Sequence, residues 1–408
     1  MLSKSNNTAL LLRFTVLQFF YLFSNGAIFG YASALFLHNG ISLDDIGIIC
    51  AVETACSFLG FIVIGAFCSR IQKIKLPLIL FLLFAIGVYT ILFLYTKSPF
   101  LILLYALLGF VYDPVTALID SWMLNLYPDA VQSYAKTRTV SLLVYASFFV
   151  LFSALISRYS YIVCLIVVFI SLGVCIGIAL SLPEVEGYGR KTEAGETGTQ
   201  IPLAQLVRLV FRHMGLFLLM AFCIGICCTS LLTMVPVILE EIHGDPLYQG
   251  IGMFLCYVGN SLFSFLSGFF QKIHTLWRCI LSAGYMIAGL LSLMLFPSVG
   301  VLLVAVFLRG AADGLITVAM RQYVRKNVPA SIHTLSHSLC NAFYASLGGA
   351  LGIAMVTRLY GQFGIAGMSW FCSGIGLVGV GLCFAVFCLL RRKPNCESKE
   401  SKEYKVSL

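Results

Sequence analysis

Long apolar stretches recur along the chain and are separated by short polar ones. Runs such as 76–95 and 161–182 show no polar–apolar alternation, so they indicate helices rather than the alternating strands of a membrane β-barrel. Each run is close to the ~20 apolar residues that a helix needs to cross a bilayer. The pattern predicts twelve spans, near residues 9–37, 43–68, 76–96, 100–125, 137–157, 160–182, 213–239, 247–271, 278–297, 300–323, 332–357 and 366–390.

Composition supports a membrane protein. Of the 408 residues 60% are apolar and 11% are charged, and the mean hydropathy is +0.97. A chain of this composition has too few polar residues to cover the surface of a soluble protein. The first run is too long for the core of a signal peptide, so we expect it to remain as the first span. Most of the fifteen cysteines fall inside apolar runs and no Cys/His cluster has zinc spacing, so we expect neither a metal nor a cofactor.

The basic residues orient the chain. The net charge is +9, and all but four (Lys97, Arg158, Arg309 and Arg358) of the 26 Lys and Arg fall in alternate polar segments or at the span ends beside them. This is the positive-inside pattern, so we expect cytoplasmic termini in a multi-pass protein of a bacterial plasma membrane. The positive charge therefore indicates no nucleic acid partner.

A polar, Gly-rich segment from Pro183 to Pro202 divides the spans six and six. We predict a six-helix bundle over 1–182, a linker over 183–212 with a possible surface helix, a second bundle over 213–390, and a disordered tail over 391–408. Short segments that close the second and eighth spans echo each other about 200 residues apart. Such a repeat is typical of transporters that bind solute between two halves.

Charged residues inside the spans are the main candidates for function, because each costs about 2.5–3.5 kcal/mol to insert. Glu53 lies in span two, Asp113 and Asp120 in span four, and Arg309 and Asp313 in span ten. Asp113 and Asp120 are seven residues apart, which places both on one face of a helix. Arg138 begins span five and can pair with Asp120, or it can instead extend to the membrane interface.

The other charges leave two interpretations open. Arg309 and Asp313 are four residues apart, which allows an ion pair that is either structural or part of proton coupling. Glu53 has no sequence-local partner; it is either a proton-coupling group or a protonated hydrogen-bond donor.

Uncharged polar residues suggest the cargo. Asn25, Asn260 and Asn341 lie near Tyr residues in spans one, eight and eleven. Amides and hydroxyls beside rings suit a sugar or a nucleoside, although such residues also link membrane helices.

The segment Gly65-Ala-Phe-Cys-Ser69-Arg70-Ile-Gln-Lys73 resembles the loop between spans two and three of the major facilitator superfamily. Gly65, Arg70 and Lys73 match that gating loop, whereas Ser69 stands in place of its acidic residue. The resemblance covers about residues 10–390 and implies the twelve-helix fold of two six-helix bundles, an all-α membrane protein.

A narrower resemblance, to the lactose permease group of proton symporters, rests on Asp120 and on Tyr134-Ala135-Lys136-Thr137-Arg138. The resemblance implies that Asp120 and Arg138 bind solute hydroxyls, that Tyr145 stacks on the solute, and that Arg309 and Asp313 lie near the group's proton-coupling residues.

We therefore expect a secondary transporter and not an enzyme: a functional monomer that carries protons and a small polar solute in symport. Two alternatives are proton-driven efflux of drugs or metabolites and a non-transporting sensor or scaffold on the same fold.

Overall fold

A computed structural model describes residues 4–71, 73–95, 100–126, 130–184, 203–266, 274–328, 336 and 339–392. Within these ranges some side chains are outside the description, among them those of Arg70 and Arg138. The regular elements of the described part are all helical.

Helices of the first half follow one another with short connections. In chain order they are α1 (Lys4–Asn25), a first π-helical segment (Gly26–Gly30), α2 (Ala32–His38), α3 (Leu43–Ile71), α4 (Lys75–Leu94), α5 (Leu101–Tyr112), α6 (Val115–Leu126), α7 (Ala130–Tyr159) and α8 (Ile162–Ser181).

The second half has fewer but longer elements. They are α9 (Leu203–Glu241), α10 (Leu247–Leu266), α11 (Thr275–Leu295), α12 (Val299–Asn327), a second π-helical segment (Ala342–Leu347) and α13 (Gly348–Arg392). Two of these bend sharply: α9 leaves helical geometry at Met214, and α13 does so at Gly364, where φ is +59°. A positive φ favours glycine because it has no Cβ.

Ten stretches of the described residues are helices long and apolar enough to cross a membrane, which agrees with a multi-pass membrane protein. One of them, Leu339–Leu389, is 51 residues long and contains the bend at Gly364. A shorter apolar helix, Val144–Tyr159, falls in the predicted fifth span.

The predicted fourth span is interrupted. Helix α5 ends at Tyr112 and α6 begins at Val115, because Pro114 has no N–H with which to bond the carbonyl of Phe110 four residues earlier. Gly60 of α3 covers that carbonyl: a Cβ at Gly60 would lie 2.1 Å from the Phe110 oxygen. Asp113, whose φ of −56° and ψ of −42° are helical, therefore lies at the junction of the two helices.

Apolar side chains form two buried clusters. The first contains residues between Phe14 and Leu182, with two additions from the second half, and the second runs from Val210 to Val386. Many large hydrophobic side chains outside these clusters are exposed, such as Phe265 at 72%. An exposed apolar outer surface is what lipid contact requires.

The two halves touch where the end of α2 and the start of α3 lie. A Cβ on Gly250 of α10 would lie 2.3 Å from the Phe149 carbonyl of α7, and one on Gly47 of α3 would lie 1.9 Å from Thr357 Oγ1 of α13. Gln249 Nε2 also donates to the Gly30 carbonyl at 3.2 Å. We refer to these contacts as the closed end.

Candidate functional site

A cavity of about 210 Å³ lies between the halves, next to the closed end. Its wall combines apolar side chains with a small number of polar ones, as is usual for sites that bind small molecules. The polar side chains include Asn25, Glu53, Thr54, Tyr145, Thr233 and Tyr257.

Asn25 reaches the cavity through an irregular stretch of backbone. It is the last residue of α1 and precedes the first π-helical segment, and such local widenings are frequent at functional sites. Gly26 and Gly30 of this segment admit two aromatic rings of α7: a Cβ at Gly26 would lie 3.1 Å from Tyr145, and one at Gly30 would lie 3.0 Å from Phe149. The hydrophobic pattern does not predict this π-helical segment, but the glycines at 26 and 30 are visible in the sequence and are consistent with close packing of another helix at this point.

Three aromatic rings join the two halves across the cavity. The centroids of Tyr145 and Tyr257 are 4.9 Å apart, and those of Phe149 and Tyr257 are 5.7 Å apart with ring planes at 10°. Tyr145 and Phe149 belong to α7 and Tyr257 belongs to α10. The plane of Tyr145 is tilted by 63° from that of Tyr257, so the cavity presents ring faces and edges in more than one direction to a solute.

A proline shapes the second-half wall. Pro236 lies inside α9 and lines the cavity together with Leu232 and Thr233. Since proline has no N–H, the carbonyl of Leu232 lacks its usual helical partner. Pro236 falls within the predicted span 213–239, where a proline is a signal of a missing helical hydrogen bond.

Two carboxyl groups meet on the first-half side. Glu53 of α3 lines the cavity and is within reach of a hydrogen bond to Asp113, at the break between α5 and α6. Ser57 donates to Asp113 Oδ2 at 2.7 Å, and Thr54 lies 3.1 Å from Glu53 Oε2. Glu53, which lacks a local partner in sequence, thus has one from another helix.

Asp120 faces a different neighbour. Its Oδ1 accepts a hydrogen bond from Gln18 Nε2 of α1 at 3.1 Å. Asp113 and Asp120 therefore bond to different helices, Asp113 to Ser57 of α3 and Asp120 to Gln18 of α1. The side chain of Arg138 lies outside the described residues, so its predicted pairing with Asp120 stays a prediction.

The predicted second-half residues form their own cluster. Asp313 accepts hydrogen bonds from Asn260 at 2.7 Å and from Tyr344 at 2.6 Å, and Arg309 lies 4.0 Å away. Arg309 also donates to the Cys228 carbonyl at 2.9 Å. These residues do not line the cavity described above.

Close helix packing creates this cluster. A Cβ at Gly310 of α12 would lie 1.9 Å from the Cys256 carbonyl of α10, and one at Gly259 of α10 would lie 2.6 Å from the Phe307 carbonyl. Only glycine permits such an approach, which brings Asn260 and Asp313 to hydrogen-bonding distance.

The remaining predicted residues lie elsewhere. Asn341 is exposed and directly precedes the second π-helical segment, and Lys73 is exposed beyond the end of α3. The side chain of Arg70 and the surroundings of Gly65 lie outside the part of the chain that the structure describes. Among the residues that the structure describes, no group of three or more His, Cys, Asp or Glu could hold a metal ion.

Sequence and structure comparisons give one consistent picture. A sequence model described as Major Facilitator Superfamily matches residues 14–353 and 217–407. The comparison with curated proteins finds no match.

Solved structures show the likeness in three dimensions. A point mutant of the nucleoside transporter NupG superposes with a TM-score of 0.79 at 15% identity, over 93% of this chain and 100% of that one. A bacterial homolog of the human lysosomal transporter Spinster, in an inward-facing and occupied conformation, gives 0.69 at 14% identity, over 97% and 100%. A POT family peptide transporter, described as auto-inhibited, gives 0.70 at 11% identity, over 95% and 97%. At these identities the likeness establishes the fold alone.

Proposed function

Because the chain belongs to the major facilitator superfamily, a family of membrane transporters, we propose that it carries a small polar solute together with protons. The solute class that the site favours is a nucleoside or a sugar-like molecule, moved by alternating access of the cavity to the two membrane faces. The observation that carries this proposal is the cavity itself, whose lining includes an amide, aromatic rings from both halves and a carboxyl group.

The cavity chemistry suits a solute that is flat on one side and rich in hydroxyls. The rings of Tyr145 and Tyr257 can stack on a base or on a sugar face, while Asn25 can both donate and accept hydrogen bonds. The likeness to a nucleoside transporter agrees with this class and places nucleosides first among the solutes to test.

We further propose twelve crossings with both termini cytoplasmic. The stretch Leu339–Leu389 would supply two crossings, one before and one after Gly364. The shorter apolar part of α7, Val144–Tyr159, would supply another. In this orientation the closed end faces outward, so the described conformation would open towards the cytoplasm.

Proton-coupled uptake is tested on intact cells that produce the protein. Unbuffered, de-energised cells receive uridine, adenosine or a disaccharide while the pH of the medium is recorded. Symport predicts alkalinisation on addition of the right solute, and control cells without the protein show none. Solute entry without alkalinisation would argue against proton coupling, and export of preloaded solute would favour the efflux alternative.

The aromatic surface is tested by substitution. Tyr145→Ala removes a ring that contacts Tyr257. We expect the half-saturating solute concentration to rise about 5- to 150-fold, since stacking on one base contributes about 1–3 kcal/mol. Tyr145→Phe keeps the ring and serves as the matched control, with a smaller rise. Equal effects of the two substitutions would contradict a stacking role.

A further inference from the structure

Packing of α5 against α3 brings the carboxyl groups of Glu53 and Asp113 close together. Gly109 of α5 lies directly on α3: a Cβ there would be 2.6 Å from the Glu53 carbonyl oxygen and 2.8 Å from its Oε1. Ser57, one helical turn after Glu53 on α3, donates to Asp113 Oδ2 at 2.7 Å. Asp113 therefore lies against the part of α3 that carries Glu53.

The hydrogen bonds around the pair are compatible with one proton held between the two carboxyl groups. Ser57 donates to Asp113 Oδ2 and Thr54 donates to Glu53 Oε2, and the two carboxyl groups lie within hydrogen-bonding reach of each other. An ionised carboxylate can only accept hydrogen bonds, so a bond between two carboxyl groups requires a proton on one of them. This arrangement suits a proton shared by the two groups.

No basic group neutralises the pair among the described side chains, where the ion pair within 4.0 Å is that of Arg309 and Asp313. The titratable groups that face the pair are thiols and phenols. They are Cys50 and Cys56 of α3, Tyr105 and Tyr112 of α5, and Tyr21 of α1.

Only one member of the pair meets the cavity. Glu53 is part of the cavity wall, whereas Asp113 lies behind it and is not part of that wall. A proton can therefore enter and leave from the cavity through Glu53, on whichever side of the membrane the cavity is open. A solute in the same cavity lies against the same carboxyl group.

We propose that Glu53 and Asp113 together hold the transported proton, as a carboxyl pair on α3 and α5. The inference rests on the proposed proton-coupled symport and assigns its proton site to the first half rather than to Arg309 and Asp313. The proton ties α3 to α5, and α3 also carries Gly47 of the closed end. When the proton leaves, two like charges stay in contact, which disfavours the same packing. Loss of the proton and movement of α3 are thereby linked.

The test separates binding of solute from coupling to protons. Full-length protein is reconstituted into vesicles, and two quantities are measured with radiolabelled uridine or the solute found above. One is exchange of internal for external solute at equal pH, and the other is accumulation driven by an imposed pH gradient. A one-proton symporter accumulates solute up to about tenfold per pH unit, since one unit is worth about 1.4 kcal/mol.

Neutral variants give the decisive comparison. We expect Glu53→Gln and Asp113→Asn to keep exchange and to lose accumulation under the pH gradient. Asp44→Asn removes an exposed carboxylate at the start of the same helix and is the matched control, with accumulation unchanged. If a single variant does not fold, the double variant Glu53→Gln/Asp113→Asn replaces it, because two amides can still bond to each other.

The outcomes distinguish this inference from the proposed function. If the wild-type protein accumulates solute and the neutral variants do so equally, the proton site lies elsewhere and the inference fails alone. If folded variants lose exchange as well, the pair binds solute and the assignment is overturned. If the wild-type protein shows exchange without pH-driven accumulation, proton coupling fails and the inference fails with it.

Discussion

Asp313 and the Glu53–Asp113 pair show how different surroundings give the same residue type different roles. Asp313 has a guanidinium 4.0 Å away and receives two hydrogen bonds, so a full negative charge is well accommodated there. The carboxyl groups of Glu53 and Asp113 instead contact the hydroxyl groups of Thr54 and Ser57, and they lie beside each other. The contrast favours a structural role for Arg309 and Asp313, one of the two roles that their spacing allows.

A stability measurement checks that role. Asp313→Ala leaves the guanidinium of Arg309, whose side chain is 11% exposed, without its counter-charge, which costs about 3–5 kcal/mol when a buried pair is broken. We expect the midpoint of thermal unfolding in detergent to fall by several degrees. The double variant Arg309→Met/Asp313→Met removes both charges and should recover most of the loss. A double variant as unstable as Asp313→Ala would contradict a neutralising pair.

At the scale of elements, irregular helices surround the polar sites. Asn25 precedes one π-helical segment and Tyr344 lies within the other. Pro114 lies at the junction of α5 and α6 next to Asp113, and Pro236 lies inside α9 on the cavity wall. Irregular backbone is tolerated at membrane depth where it is enclosed in protein or lines a cavity. The hydrophobic pattern predicts where spans lie but carries no information on these breaks, because a kinked and a straight helix bury the same residue types.

Close backbone contact at the closed end predicts a conformational effect of one methyl group. Gly250→Ala would place a Cβ 2.3 Å from the Phe149 carbonyl, a backbone atom that cannot simply rotate away. Overpacking of this kind costs about 1–3 kcal/mol, enough to shift a two-state equilibrium about 5- to 150-fold. We expect the variant to favour the state in which the halves part at this end.

Distances between spin labels measure that shift. Labels on cysteines introduced at the exposed positions Tyr159 and Phe296, with Cys388 and Cys396 replaced, should report a larger share of long distances in Gly250→Ala. Gly87→Ala is the matched control, because a Cβ at Gly87 meets nothing within 4 Å. An unchanged distance distribution in Gly250→Ala would show that the helices at the closed end accommodate the methyl group by a local shift, without separating.

At the scale of the molecule, charge placement predicts the orientation. Lys and Arg gather in alternate polar segments, and such segments stay on the cytoplasmic side. A fluorescent protein fused after Leu408 should fluoresce, and alkaline phosphatase fused there should be inactive. Phosphatase inserted after Ser298, between α11 and α12, should be active. Phosphatase activity at the C-terminus would contradict the proposed topology.

Much of the architecture followed from the sequence. The multi-pass helical class and the superfamily were predicted from apolar runs and from the Gly65–Lys73 segment, and the family match and the structural likenesses confirm both. The predicted site residues are only partly brought together: Asn25, Glu53 and Tyr145 share the cavity, whereas Asn260 and Asp313 form a separate cluster. Spacing in the sequence shows which residues share a face of one helix, but it does not show which helices pack against each other.

The sequence by itself determined that this chain lies in a membrane, because apolar runs of sufficient length have no other stable environment. It also indicated which charged residues lie within the predicted spans. Only the tertiary structure decided their partners: Glu53 with Asp113, Gln18 with Asp120, and Tyr145 with Tyr257. These residues are distant in the chain, and they meet because glycines and prolines let particular helices approach at particular depths. That approach depends on the packing of all the helices together.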